Sequence, residues 1–291
     1  MKAIPAFLAL DVPPAPPEQA RFEIIPVPLE LGVSYGRGTA SGPDKLLEAS
    51  LHLESYDGAG VPAYAGIYTG PAVDCDSDTA TVLQQVAARV RAALAGRRVP
   101  IVIGGEHTVT LGAVQAFAAQ GEPFGVVQFD AHADLRDQYE GNSFSHACVM
   151  RRVIELDVPI FQIGVRSLSV GEAGFRQARA IPFYDAETLA QPDRPRFALP
   201  PDFPARIYLT FDVDAFDPAV LPGTGTPEPG GLFWYDALRL IDQVLEGRSL
   251  IGFDVVELAP IPGSQVSEFT AAKLAYCLMA AALRFPVPGK R

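Results

Sequence analysis

The chain has few cysteines and few cations, and each shortage excludes a class of protein. Its three cysteines, Cys75, Cys148 and Cys277, are too few and too far apart for a disulfide framework or a zinc finger. We therefore expect a reducing compartment, the cytoplasm. Lys and Arg total 23 against 34 Asp and Glu, so the formal net charge is −11. This charge argues against nucleic acid as a partner, because few cations are available to neutralise phosphates.

Targeting segments and long apolar runs are also missing. Residues 1–20 lack the charged start, the apolar stretch and the cleavage site of a secretory signal. Lys273 interrupts the most apolar stretch near the C-terminus, so we expect no membrane-spanning segment. Five prolines in residues 1–20 predict an extended N-terminal arm rather than a packed element. We expect residues 21–291 to form a single domain.

Short apolar stretches alternate with amphipathic ones from Phe22 onward. The predicted strands are Phe22–Val27, Val99–Gly104, Phe124–Phe129, Pro159–Ile163, Ile181–Tyr184, Arg206–Phe211 and Leu250–Val255. The predicted helices are Asp78–Leu94, with Ser77 as its cap, Thr108–Ala119, His146–Leu156, Tyr235–Leu245 and Val266–Leu283. The apolar runs do not alternate with polar residues, which is typical of strands buried on both faces. The pattern predicts an α/β fold with a mainly parallel sheet and helices on both faces. The proline-rich stretches Gln191–Ala205 and Asp217–Gly231 predict loops.

Four of the predicted strands end in acidic or histidine side chains. These are His107 after Val99–Gly104, Asp130, His132 and Asp134 after Phe124–Phe129, Asp212 and Asp214 after Arg206–Phe211, and Glu257 after Leu250–Val255. In an open α/β sheet, ligands bind outside the carboxyl ends of the strands. We therefore expect these side chains to meet at one edge of the sheet.

Six of these groups, two imidazoles and four carboxylates, are of the kinds that bind metal ions. They are too many for one zinc ion, which takes three or four ligands. They fit two divalent ions that share bridging carboxylates, for which we predict Asp130 and Asp214. Oxygen-rich ligands without a thiolate favour Mn²⁺. Two ions about 3.5–4 Å apart lower the pKa of bound water, so the sequence predicts metal-activated hydrolysis.

The motifs resemble those of the ureohydrolase family of arginases and agmatinases. The matching segments are Gly104–His107, Phe129–Arg136, Phe211–Pro218, Gly223–Gly231, Ser145–His146 and Val255–Glu257. The resemblance extends from about Gly32 to Lys273. It implies a three-layer α/β/α sandwich, two Mn²⁺ per subunit, a small cationic guanidino substrate and a homo-oligomer, either a trimer or a hexamer.

The resemblance also implies roles for individual residues. The metal ligands would be His107, Asp130, His132, Asp134, Asp212 and Asp214. Glu257 would bind the substrate guanidinium, with which a carboxylate pairs through two hydrogen bonds. His146 would assist proton transfer. We place His146, Glu257 and Asp134 in the catalytic set, and Glu257, His146 and Ser143 in the substrate-binding set.

The positions that distinguish substrates depart from the arginase pattern. Arg136 and Ser169 stand where arginases hold the α-carboxylate and the α-amino group, while Ser143 matches the loop serine. We therefore predict agmatine as the substrate, hydrolysed to putrescine and urea. Arg136 leaves 4-guanidinobutyrate open, and aminopropylagmatine and arginine remain alternatives. Asp137 and Glu140 either favour a dication at the mouth or are solvated loop residues.

Two other classes of function each predict a particular feature in the same segments of sequence. A two-metal phosphatase predicts a Lys or Arg in Gly223–Gly231, and neither is present. A non-catalytic regulatory member of the family predicts the loss of a metal ligand or of Glu257, and none is lost.

Overall fold

One parallel sheet of eight strands forms the centre of the molecule. A computed structural model describes residues 4–193 and 196–285, and the counts below apply to these residues. The strands are β1 (Phe22–Val27), β2 (Ile67–Thr69), β3 (Val99–Gly104), β4 (Gly125–Phe129), β5 (Ile160–Ile163), β6 (Phe183–Tyr184), β7 (Arg206–Asp212) and β8 (Ser249–Val256). Their order across the sheet is β2-β1-β3-β8-β7-β4-β5-β6, and every pairing is parallel.

Helices cover both faces of this sheet. They are α1 (Gly42–Ser50), α2 (Thr79–Ala95), α3 (Val109–Ala118), α4 (Val149–Ile154), α5 (Val170–Ala178), α6 (Ala186–Leu189), α7 (Trp234–Leu245) and α8 (Val266–Arg284). Buried side chains of α1, α7 and α8 belong to one apolar cluster, and those of α2, α3 and α4 belong to another. The molecule is therefore a three-layer α/β/α sandwich, which confirms the predicted fold class.

Successive strand residues point to opposite faces, and both faces are apolar. In β1, Ile24 packs in the first cluster and Ile25 in the second. In β3, Ile103 packs in the first cluster and Val102 in the second. Burial on both faces explains why the strands read as continuous apolar runs rather than alternating ones.

The structure differs from the predicted elements in several places. Strand β2 and helices α1, α5 and α6 were not predicted; β2 has only three residues, and α1 begins with Gly42-Pro43, which resembles a loop. Helix α2 is capped by Asp78, which accepts from the Thr81 amide at 3.0 Å, and not by Ser77. Strand β5 begins at Ile160 rather than at the predicted Pro159.

The proline-rich N-terminal segment is anchored to the rest of the chain. Phe7 and Leu8 are buried in the first apolar cluster, and the Leu8 amide donates to Ser50 Oγ at 3.1 Å. The segment is thus packed against its own subunit where its sequence predicted only an extended arm, because two apolar residues lie between its prolines. Parts of three predicted segments lie outside the described residues. They are residues 1–3 of this arm, residues 194–195 of the loop Gln191–Ala205 and residues 286–291 of the predicted domain.

Helix α8 is 19 residues long and apolar enough to cross a membrane by length and composition. The prediction of no such stretch, which rested on Lys273 within it, is therefore wrong for length and composition. Of its most apolar stretch, 67% is buried inside the structure, as in a core helix.

Candidate active site

Four neighbouring strands bring the predicted ligands to one edge of the sheet. Strands β3, β8, β7 and β4 are consecutive in the sheet, and their carboxyl ends lie side by side. The loop after β3 carries His107, the residue after β4 is Asp130, β7 ends at Asp212, and Glu257 follows β8. All four side chains are buried. The parallel order of the sheet thus brings together residues that are up to 150 positions apart in sequence.

His107 lies at the centre of a first group of potential metal ligands. Its Nδ1 atom is 3.1 Å from Asp130 Oδ2, 3.0 Å from Asp134 Oδ2 and 3.4 Å from Asp212 Oδ2. Among the described residues, this buried Nδ1 makes no hydrogen bond of good geometry, although three carboxylates surround it. Their hydrogen bonds and charges outweigh burial and raise the pKa of His107 well above its usual range, so without a cation the ring holds a second proton. We call His107, Asp130, Asp134 and Asp212 the floor of the site.

His132 forms a second group beside the floor. Its Nδ1 is 2.9 Å from Asp214 Oδ2 and 3.6 Å from Asp130 Oδ1. Two sets of three residues can each hold an ion, His107 with Asp130 and Asp212, and His132 with Asp130 and Asp214. Asp130 belongs to both sets, as a bridging ligand would. Asp214 belongs to one of them, so its predicted bridging role stays a prediction.

The ionisation of these groups fits a site for cations. Burial, followed by the charges of Asp214 and Asp130, raises the pKa of Asp212 well above its usual range. Burial and the charge of Asp130 raise the pKa of Asp134 to about 6. Burial opposes the charged form of His132, but hydrogen bonds to Asp130 and Asp214 raise its pKa to about 12. Without a cation, the protein retains protons here, and divalent ions would replace them.

The main chain holds the ligands in place. The amide of Ala131 donates to Asp214 Oδ1 at 3.0 Å, and the amide of Asp214 donates to Asp212 Oδ1 at 2.9 Å. Asp134 and Glu257 both have left-handed backbone conformations, with φ of 52° and 64°. Such a conformation costs about 1–3 kcal/mol in a residue other than glycine, so the surrounding structure must impose it.

Glu257 and His146 form a hydrogen-bonded pair beside the floor. Glu257 Oε1 accepts from the His107 amide at 2.7 Å and lies 3.3 Å from His146 Nδ1. The other ring nitrogen of His146 lies 3.1 Å from Ser34 Oγ. Burial lowers the pKa of His146, but the hydrogen bond and charge of Glu257 outweigh it and raise the pKa to about 9. His146 can therefore hold a proton at neutral pH.

A cavity of about 310 Å³ opens above these groups. We call Ser34, Arg136, Tyr139, Ser169 and Glu172, which line it away from the ligands, the mouth of the site. Arg136 Nε is 3.7 Å from Glu172 Oε2, and its guanidinium lies 5.0 Å from the centre of the Tyr139 ring. Ser169 donates to Glu172 and caps α5, as the sequence Ser169-x-x-Glu172 would have indicated.

Among the described residues that line the cavity, three residues considered for the mouth are missing: Asp137, Glu140 and Ser143. Asp137 pairs with Arg152 at 2.7 Å, and Glu140 is exposed on the loop. The substrate-binding role of Ser143 stays a prediction. His146 lines the cavity. Glu257 contacts His146 but is not among the described residues that line the cavity.

Two residues outside the predicted catalytic, substrate-binding and metal-binding sets support the site. Glu106 accepts from the amides of Leu31 and Gly32 and so fixes the loop that carries Ser34. Its position next to His107 in the Gly-Gly-Glu-His motif was the available signal. Arg166 donates to five main-chain carbonyls, including those of Asp214 and Glu228, and thus orders the loops around the second group.

The chain is similar to known proteins over nearly its whole length. Residues 20–281 match the family model described as the Arginase family. An N(1)-aminopropylagmatine ureohydrolase of Synechocystis sp. is 41% identical over 272 residues, which cover 89% of this chain and 88% of that protein. An agmatinase of Pyrococcus horikoshii is 33% identical, covering 94% of this chain and 96% of its own. The solved agmatine ureohydrolase of Thermoplasma volcanium has a TM-score of 0.82 at 30% identity, covering 98% and 96% of the two chains.

Proposed function

The chain belongs to the arginase family of ureohydrolases, and from this premise we propose that it hydrolyses the guanidino group of an agmatine-type amine, releasing urea. The observation that carries the proposal is the Glu257–His146 pair beside a floor of metal ligands. A carboxylate that can orient a guanidinium and an imidazole that can protonate an amine suit this reaction.

We propose that the site holds two Mn²⁺ ions. His107, Asp130, Asp134 and Asp212 would hold one ion, and Asp130 with His132 and Asp214 would hold the other. The unpartnered Nδ1 of His107 and the oxygen-rich ligands support this choice. When bound, two such ions activate water for attack at neutral pH. A trimer or hexamer stays a prediction.

The protein's own residues supply orientation and a proton. Glu257, which is held by the His107 amide, would align the guanidinium plane over the floor and so bring the reacting carbon into position. His146, whose pKa the protein groups raise to about 9, is the donor for the departing amine. Bound divalent ions would lower this pKa toward neutrality.

We favour N1-aminopropylagmatine as the substrate, with agmatine as the second candidate. The relative of higher identity carries the first name, while the Pyrococcus relative carries the second. Arg136 supports an amine substrate over a carboxylate one, because its cation already faces Glu172 and Tyr139. Arginine and 4-guanidinobutyrate both carry a carboxylate that would need a free cation.

Urea release from four substrates at saturating Mn²⁺ tests the assignment. We expect kcat/KM to fall in the order N1-aminopropylagmatine, agmatine, 4-guanidinobutyrate and arginine. A higher value for agmatine would move the second candidate to first place. A higher value for either carboxylate substrate would refute the amine assignment, and no urea from any of them would refute the proposed activity.

A further inference from the structure

Behind the floor lies a buried carboxylate that the proposed reaction does not use. Asp254 of β8 is fully buried, and within the described part of the chain no Lys or Arg pairs with it. Three hydroxyls donate to it instead: Thr210 to Oδ1 at 2.6 Å, and Tyr208 and Thr110 to Oδ2 at 2.8 and 2.9 Å. A buried carboxylate without a cation is costly, so its hydrogen bonds need an explanation.

The hydrogen bonds of Thr210 determine where its single proton lies. A threonine hydroxyl has one proton to donate and can also accept. Thr210 has two other polar neighbours, Thr110 Oγ1 at 3.3 Å and His107 Nε2 at 2.8 Å. Because Thr210 and Thr110 both give their protons to Asp254, the Thr210 oxygen accepts from His107 Nε2. His107 therefore carries a proton on Nε2.

The bond from Nε2–H to Thr210 leaves Nδ1 as the ring nitrogen that a metal ion can bind. Nδ1 of His107 faces the oxygens of Asp130, Asp134 and Asp212 at 3.0–3.4 Å without making a hydrogen bond of good geometry. A histidine binds a metal ion through a bare nitrogen, and a hydrogen bond from its other N–H fixes the tautomer and the ring orientation. The chain Asp254–Thr210–His107 provides this hydrogen bond from within the core.

We propose that Thr210 and Asp254 are positioning residues that hold His107 as its Nε2–H tautomer and so set the affinity of the ion position at the floor. This inference rests on the metal pair proposed above. His132 differs: its side chain is 26% exposed, and the described group facing its Nε2 is Glu228 at 3.9 Å, beyond hydrogen-bond distance. The effect should therefore be confined to one of the two ions.

Metal titration of three variants separates this role from a general packing role. Thr210→Val removes the hydroxyl but keeps the shape, and Thr210→Ser restores the hydroxyl. Tyr208→Phe is the matched control, because it removes a hydroxyl from the same carboxylate without touching His107. Metal-free protein is titrated with Mn²⁺, and free Mn²⁺ is followed by electron paramagnetic resonance.

We expect wild type, Thr210→Ser and Tyr208→Phe to bind two Mn²⁺ with the same affinities. Thr210→Val should keep one normal site and bind the other ion about 10- to 100-fold more weakly. Unchanged binding in Thr210→Val, equal weakening in Tyr208→Phe, or failure of Thr210→Ser to restore binding would each overturn the inference. A wild-type protein that binds no pair of ions would instead overturn the proposed metal centre.

A measurement on the unaltered protein covers the case in which Thr210→Val does not fold. Protein labelled with ¹⁵N in its histidines is loaded with Zn²⁺ as a diamagnetic probe. We expect the nitrogen spectrum to show His107 protonated at Nε2 and bound to metal through Nδ1. Metal at Nε2 of His107 would contradict the assignment.

Discussion

The floor and the mouth of the site are built in different ways. At the floor, His107 and Asp130 are fully buried at strand ends, and hydrogen bonds from the core hold them. At the mouth, Ser34 is exposed on a loop and Arg136 is half-buried, held by a long contact to Glu172 and by the face of Tyr139. The floor is buried throughout, whereas the mouth combines the buried Glu172 with exposed or half-buried side chains such as Ser34 and Arg136.

This difference suggests how one fold accommodates several substrates. Metal ions need ligands at defined positions, which strand ends within a close-packed core provide. Substrate amines are recognised by loops, which can change without disturbing the sheet. The relatives are consistent with this division, since similar chains carry the names of different guanidino substrates.

The largest expected effect is a loss of turnover in the variant Glu257→Gln, with metal binding unchanged. Glu257→Gln keeps the side-chain shape but removes the charge that would orient a guanidinium. We expect kcat/KM to fall by at least about 10³-fold with two metal ions still bound. Activity and metal content are measured on the same sample. Asp134→Asn is the control at the floor and should lose metal and activity together; loss of metal from Glu257→Gln would mean that the two roles are not separate.

A smaller effect is expected where the floor adjoins the mouth. His146 touches Glu257 on one side and Ser34 on the other. His146→Asn should lower kcat by about 10²-fold and change KM less, because the residue gives a proton in the transition state rather than binding the substrate. Steady-state kinetics check this, with Ser143→Ala as a comparison on the same loop. A rise in KM with kcat unchanged would assign His146 to binding alone.

The smallest expected effect concerns stability and pH. Burial, helped by the charge of Glu257, raises the pKa of Glu106 to about 7, above its ordinary value of 4.5. A carboxyl whose pKa is higher in the folded state stabilises the fold while protonated, and this contribution is lost as pH rises from about 4.5 through about 7. Glu106→Gln can still accept from Leu31 and Gly32 but does not titrate.

Urea unfolding of metal-free protein at pH 5 and pH 8 measures this contribution. Between these two pH values, the free energy of unfolding of the wild type should fall by about 1–3 kcal/mol more than that of Glu106→Gln. Equal pH dependence in the two proteins would show that the Glu106 carboxyl is already ionised at pH 5. Glu106 would then lack the raised pKa that Asp134 and Asp212 of the floor have.

Most of the ligand set was predictable because its signal is local. Asp130, His132 and Asp134 alternate directly after an apolar strand, and Asp212 and Asp214 repeat the pattern. A strand end, a two-residue period and a metal-binding side chain can all be recognised within a few residues of sequence. The parallel α/β fold followed from the alternation of apolar strands with amphipathic helices, and the structure confirms it. By contrast, β2 and α6 were missed because elements of three or four residues carry little periodicity.

The tertiary structure alone decided which distant residues meet. The strand order places β7 between β8 and β4, and so brings Thr210 to Asp254, 44 positions away, and through it to His107. Ser34 reaches His146 across 112 positions, and Ser169 proved to cap a helix rather than to point freely at a substrate. Sequence chemistry names the groups that can bind a metal ion. Their tautomers, hydrogen bonds and burial depend on neighbours that only the folded sheet brings within 3 Å or so of them.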